Sequence, residues 1–128
     1  LALLLSAPAV ASEPEVVNFY EVSTEGSTAR LKAGESGRLV IAITSKNGGH
    51  ISEDAPLKIE LSSRQSTLAK NRLTRADSVV KGDPRFEVGF TPTAQGPTSV
   101  EANLTFFVCS EKQCTRQTKS LSFAVEVL

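Results

Sequence analysis

Cys109 and Cys114 are the only cysteines in this chain of 128 residues, and Ser110-Glu111-Lys112-Gln113 lies between them. Two thiols at that spacing can close a disulfide, trade it with another thiol, or hold it as a static staple. If the four-residue loop joins neighbouring antiparallel strands, the cysteines stand directly opposite each other. Opposed Cα atoms then lie about 4.5 to 5.5 Å apart, within disulfide reach. Closing a loop of about six residues stabilises by only about 2 kcal/mol in the chain-entropy model. A short, exposed disulfide is also open to attack by an incoming thiolate. Lys112 favours a thiolate electrostatically, and Glu111 opposes it. Redox exchange and a structural hairpin staple both remain open from these residues, and Cys109 and Cys114 are the candidate catalytic residues.

Other chemistry is thinner. His50 is the single histidine and follows the turn signal Lys46-Asn47-Gly48-Gly49. General-base work needs a nucleophile and an orienting carboxylate beside it. No serine stands in a G-x-S-x-G pattern, so hydrolysis is not expected and His50 is expected to be structural or to line a binding surface. Two cysteines and one histidine cannot close a four-ligand zinc site without carboxylates; neither metal nor cofactor is expected. Fourteen basic residues balance fourteen acidic ones, which excludes a binder of the phosphate backbone, since that needs a basic excess. Asn103-Leu104-Thr105 matches a glycosylation sequon but falls in the middle of an expected strand.

The elements that must position the cysteines read as strands. Apolar residues alternate with a period of two at Leu39, Ile41 and Ile43, at Leu57, Ile59 and Leu61, and at Phe86, Val88 and Phe90. The longest stripe is Val100, Ala102, Leu104, Phe106 and Val108, and Leu121, Phe123, Val125 and Val127 form the last. Weaker strands are expected near 16–22 and 29–31. Breakers of Gly, Pro, Asn and Asp separate them, predicting an all-β fold, an immunoglobulin-like antiparallel β-sandwich of about seven strands. Parity places Cys109 with Glu101, Asn103 and Thr105, and Cys114 with Ser120, Ser122 and Glu126, so both side chains are expected to point away from the core. Residues 63–83 break the pattern, with Arg64, Lys70, Arg72, Arg75 and Lys81 against Asp77 and Asp83. A solvated connection with one short strand is expected there, and a basic docking surface is the functional alternative.

Compartment decides how the cysteines are read. Residues 1–11, LALLLSAPAVA, are apolar at nine positions and carry no charge. That is too short to span a bilayer and fits the apolar part of a truncated signal peptide, with Ala9-Val10-Ala11 predicting cleavage before Ser12. Residues 12–128 are then expected to form one periplasmic or secreted domain without membrane insertion. In an oxidising compartment the two cysteines are expected to be bonded.

The segment Leu104 to Val125, LTFFVCSEKQCTRQTKSLSFAV, resembles the end of the N-terminal periplasmic domain of DsbD, the disulfide-bond-corrector family. Gly49-His50-Ile51 followed by Ala55-Pro56-Leu57-Lys58-Ile59-Glu60-Leu61 is similar to a second stretch of that family. The resemblance implies a thiol-disulfide oxidoreductase module that takes electrons from a membrane donor and exchanges thiols and disulfides with other exported proteins. It implies Cys114 as the attacking cysteine and Cys109 as the resolving one. The alternative is a noncatalytic immunoglobulin-like module that binds proteins through loops or a sheet edge.

Overall fold

Period-two alternation becomes ten strands in the computed structural model, which describes residues 18–128; the expected signal segment over 1–11 lies outside the described residues. In chain order they are β1 (Tyr20–Ser23), β2 (Arg30–Leu31), β3 (Gly37–Ser45), β4 (His50–Ile51) and β5 (Lys58–Ser62), then β6 (Ser66–Leu68), β7 (Arg72–Thr74), β8 (Arg85–Pro92), β9 (Gly96–Cys109) and β10 (Cys114–Val127). One sheet has the order β1-β3-β8-β6 and the other β2-β10-β9-β5-β7, with β4 also pairing with β9. The pairings are antiparallel except β2 with β10. This is an all-β, immunoglobulin-like sandwich: a four-stranded sheet faces the sheet that carries the last hairpin. The three strands beyond the expected seven are the short β4, β6 and β7, too brief to show any alternation.

Inward residues of the two sheets meet in one core. Leu39, Ile41 and Ile43 of β3 and Phe86, Val88 and Phe90 of β8 come from one side. Ile59 and Leu61 of β5, the β9 stripe from Val100 to Val108, and Val125 and Val127 of β10 come from the other. Each fully buried side chain of this size contributes about 1.5–3 kcal/mol, so this shared face, rather than the loops, holds the sandwich. Tyr20 of β1 reaches across the layers, its ring 5.0 Å from that of Phe106 in an edge-to-face arrangement. Val40 sits on the outer side of β3 yet is fully buried, because Ser27 folds back and bonds both its N–H (2.8 Å) and its C=O (3.2 Å).

The 63–83 region is more built than a solvated connection. It supplies β6 to one sheet and β7 to the other, followed by a single 3-10 turn over Arg75–Asp77. Leu73 is buried in the core and Leu68 packs at its margin, while Val79 and Val80 are exposed. One short strand was too few because a segment of three residues shows less than two periods of any pattern.

Candidate functional site

The last hairpin pairs in continuous register from Val127 opposite Gly96 to Cys114 opposite Cys109. No residue is inserted along it, so parity holds from the core to the tip. The Ser110 N–H donates to the Gln113 carbonyl at 2.8 Å and closes the loop. Cys109 and Cys114 are disulfide-bonded, with Cα atoms 3.9 Å apart. Both cysteines lie on one sheet and in adjacent strands, so the bond ties the hairpin tip and leaves the two sheets unlinked.

The two cysteines differ in access. Cys114 is exposed, whereas Cys109 is 6% exposed. Both lie on the face away from the core, as expected, but only Cys114 is open to solvent. Cys109 is covered without joining the core cluster, and topology gives the reason. Strand β9 is interior at this level, with β10 on one edge and β4 on the other.

Strand β4 brings the histidine to the cysteines. His50 pairs with Cys109, and Ile51 pairs with Val108. Directly opposed residues of an antiparallel pair share a face. His50, Cys109 and Cys114 therefore form a row across three strands on the outer face, while Ile51 and Val108 enter the core. His50 is exposed. The sequence placed it in a turn and left its role open; a contact across nearly sixty residues has no local signal. What makes the row possible is legible once seen. Asn47 (φ 53°) and Gly48 (φ 83°) take the left-handed conformation that a tight primed turn needs, and the Gly49 N–H closes it onto the Lys46 carbonyl at 2.9 Å. Gly49 itself passes so close to the N-terminal segment that a Cβ there would meet the Phe19 Cβ at 2.6 Å.

A groove of about 480 Å³ opens beside the row, lined by His50, Ser52, Glu53, Asp54, Asp83, Cys109 and Cys114 among others. Its walls are pinned. The Asp83 carboxylate accepts from the Ser45 N–H (3.0 Å) and hydroxyl (2.9 Å). Arg75 donates to the Ser52 carbonyl at 2.5 Å and to the Gly82 carbonyl at 3.0 Å, so one guanidinium straps both loops that flank the groove. Read from sequence as one of several solvated cations, Arg75 is half-buried and structural. Its neighbour Lys70 is likewise engaged, at 2.5 Å from Asp77. That hydrogen bond, with the backbone N–H of Thr74, holds the Asp77 carboxyl below the usual carboxylate range.

A second groove of about 740 Å³ shares Glu53 and Asp54 with the first and runs past Phe107 and Arg116 to Lys58, Arg72 and Arg75. Phe107 pairs with Arg116 one step down the hairpin from the disulfide on the same outer face. Among the described residues, no group of three or more His, Cys, Asp or Glu side chains is placed to hold a metal. No helix among them is long and apolar enough to cross a membrane.

Fold and site together define an immunoglobulin-like β-sandwich with a disulfide at the tip of its last hairpin. No family model and no curated protein matches the chain. Among solved structures, a lipoprotein from Bacteroides thetaiotaomicron, determined by solution NMR, is similar with a TM-score of 0.51 and 13% identity, over 84% of this chain and 78% of that one. Domains 4 and 5 of the S-layer protein SbsC give a TM-score of 0.47 and 11% identity, over 84% of this chain and 51% of that one. The first likeness is one of fold alone.

Proposed function

We propose that this chain is an exported thiol-disulfide exchange module whose working bond is Cys109–Cys114. The observation that carries the reading is the asymmetry of the pair: Cys114 is exposed and Cys109 is covered. Exchange needs one sulfur that a partner can reach and a second held beside it to resolve the intermediate. The resemblance of 104–125 to the disulfide-bond-corrector domain assigns the same two roles, Cys114 attacking and Cys109 resolving. In the reduced module the Cys114 thiolate attacks a client disulfide, one client sulfur leaves with the electron pair and takes a proton, and a mixed disulfide forms. Cys109 then attacks Cys114 as its own thiol proton is lost, the second client thiol departs, and the intramolecular disulfide is restored. Each cycle reduces one client disulfide and consumes two electrons and two protons, which a dithiol donor, at the membrane or elsewhere, must return. Other exported proteins are the clients in this reading.

Cys109→Ala tests it. Without the resolving thiol the mixed disulfide through Cys114 accumulates, so incubation with disulfide-bonded exported proteins is expected to give a covalent adduct on non-reducing gels that dithiothreitol releases. The native bond is expected to be reduced reversibly with the sandwich still folded. A reduction potential below about −300 mV would mark it as an inert staple and overturn the reading.

A further inference from the structure

The outer edge of β10 offers a place for the client. Strand β2 pairs with β10 only at Glu126 and Val127, so among the described residues the edge from Cys114 to Val125 has no strand beside it. Alternation tells which residues present their backbone there. The N–H groups of Glu126 and Leu128 point outward, to the carbonyls of Ala29 and Leu31 at 2.8 and 2.9 Å. Register along the hairpin is continuous, so Cys114, Arg116, Thr118, Ser120, Ser122 and Ala124 also direct N–H and C=O outward. An edge of this length is normally blunted by a bulge, a proline or charge. Here neither bulge nor proline occurs, and the charges are Arg116 and Lys119, with no acid from Cys114 to Val125.

We propose that this edge receives an extended, acidic, cysteine-bearing segment of a client protein by strand addition. The inference rests on the exchange reading above. Two positive side chains and no negative one disfavour a second copy, because antiparallel self-pairing about the middle of the edge brings like charges together, whereas acids on an incoming strand are complementary. Geometry supplies the second argument. A residue of the added strand opposite Cys114 extends the outer-face row, so that client cysteine, Cys114, Cys109 and His50 follow in line. Thiolate attack on a disulfide proceeds along the axis of the bond it breaks. The client thiolate bonds to Cys114 Sγ, the Cys109–Cys114 bond breaks, and its electron pair goes to Cys109 Sγ, which takes up a proton. The reverse of this step, from the mixed disulfide, resolves a reduced client's adduct along the same line.

The test uses two synthetic ten-residue peptides with glutamates at the positions facing Arg116 and Lys119. One carries cysteine opposite Cys114, and the other carries serine there. The serine peptide is expected to slow hydrogen exchange at the amides of Arg116, Thr118, Ser120 and Ser122, while odd-numbered amides of β10, already bonded to β9, change little. Thr118→Pro removes one outward donor at an edge position where proline is tolerated and is expected to weaken that binding by about tenfold. The double variant Arg116→Glu, Lys119→Glu leaves the backbone alone and is expected to shift preference to the same peptide with lysines in place of glutamates. For the cysteine peptide, the rate of mixed-disulfide formation relative to that with dithiothreitol is expected to fall in both variants. Protection on another surface, or equal binding by all three proteins, overturns the proposal. Protection of these amides by rising protein concentration alone gives the edge to a second copy and overturns it too. A disulfide that reacts with neither peptide nor dithiothreitol defeats the exchange reading instead, and the serine peptide still decides the edge.

Discussion

At the scale of single residues, the chemistry of the hairpin depends on what stands across from Cys109. A sulfur that is covered and leaves as a thiolate needs a positive partner or a proton, and His50 occupies the directly opposed position on β4. Carboxylates share that groove: Glu53 and Asp54 after β4, and Asp83 before β8. The carboxylates work against a thiolate, and an imidazole N–H works for it. In His50→Ala, opening of the disulfide by dithiothreitol is therefore expected to slow about two- to fivefold, the loss of one hydrogen-bond donor beside the leaving sulfur. Equal opening rates for wild type and variant would remove His50 from the chemistry. The cysteine pairing itself was legible in sequence, since loop length and parity place the two positions opposite each other. The histidine was not, because two residues of strand joined to a distant partner leave no periodic trace.

At the scale of elements, the groove is shaped by the connection between β7 and β8 rather than by the sheets. Arg75, at the start of the 3-10 turn, is bonded to carbonyls in the loops after β4 and before β8. Hydrogen bonds from a charged donor contribute about 1.5–3 kcal/mol, and a two-pronged guanidinium can serve both carbonyls at once where an ammonium serves one. Arg75→Ala is expected to lower stability by about 1–3 kcal/mol in urea unfolding and to broaden the amide signals of 52–54 and 82–83. Arg75→Lys is expected to recover less than half of the loss; full recovery would mean that charge, and not the fork, holds the loops. The long strands were readable because β3, β5, β8 and β9 each bury one face and leave the other mostly to solvent, with Val40 of β3 and Cys109 of β9 covered on the outer side. The N-terminal half of β10 was not, since Thr115-Arg116-Gln117-Thr118-Lys119 is polar on both sides and carries no apolar alternation. Nor could sequence tell Arg75 from its solvated neighbours, because its partners are backbone carbonyls that every residue carries.

At the scale of the whole molecule, balanced charge makes pH a local matter. Two carboxylates are held below their ordinary range: Asp77 by the Lys70 hydrogen bond and then the Thr74 amide, and Glu101 by the hydroxyls of Ser99 and then Ser122. A carboxyl depressed in the folded state adds stability above its unfolded pKa, about 3.9 for Asp and 4.3 for Glu, and loses it as pH falls through the folded value. The urea midpoint is therefore expected to drop on acidification from about pH 5 to below 3, and to drop less in Asp77→Asn, Glu101→Gln. An equal acid response in that variant would place the sensitivity elsewhere. Architecture has a mechanical side as well. The parallel pairing of β2 with β10 is made of the Glu126 and Leu128 amides bonded to Ala29 and Leu31. Because those strands run the same way, tension drawn on the N-terminal end of one and the C-terminal end of the other slides them past each other and loads both bonds together, instead of peeling them one by one. The last strand thus meets a pull in shear at its foot while its disulfide-bonded tip stays unloaded.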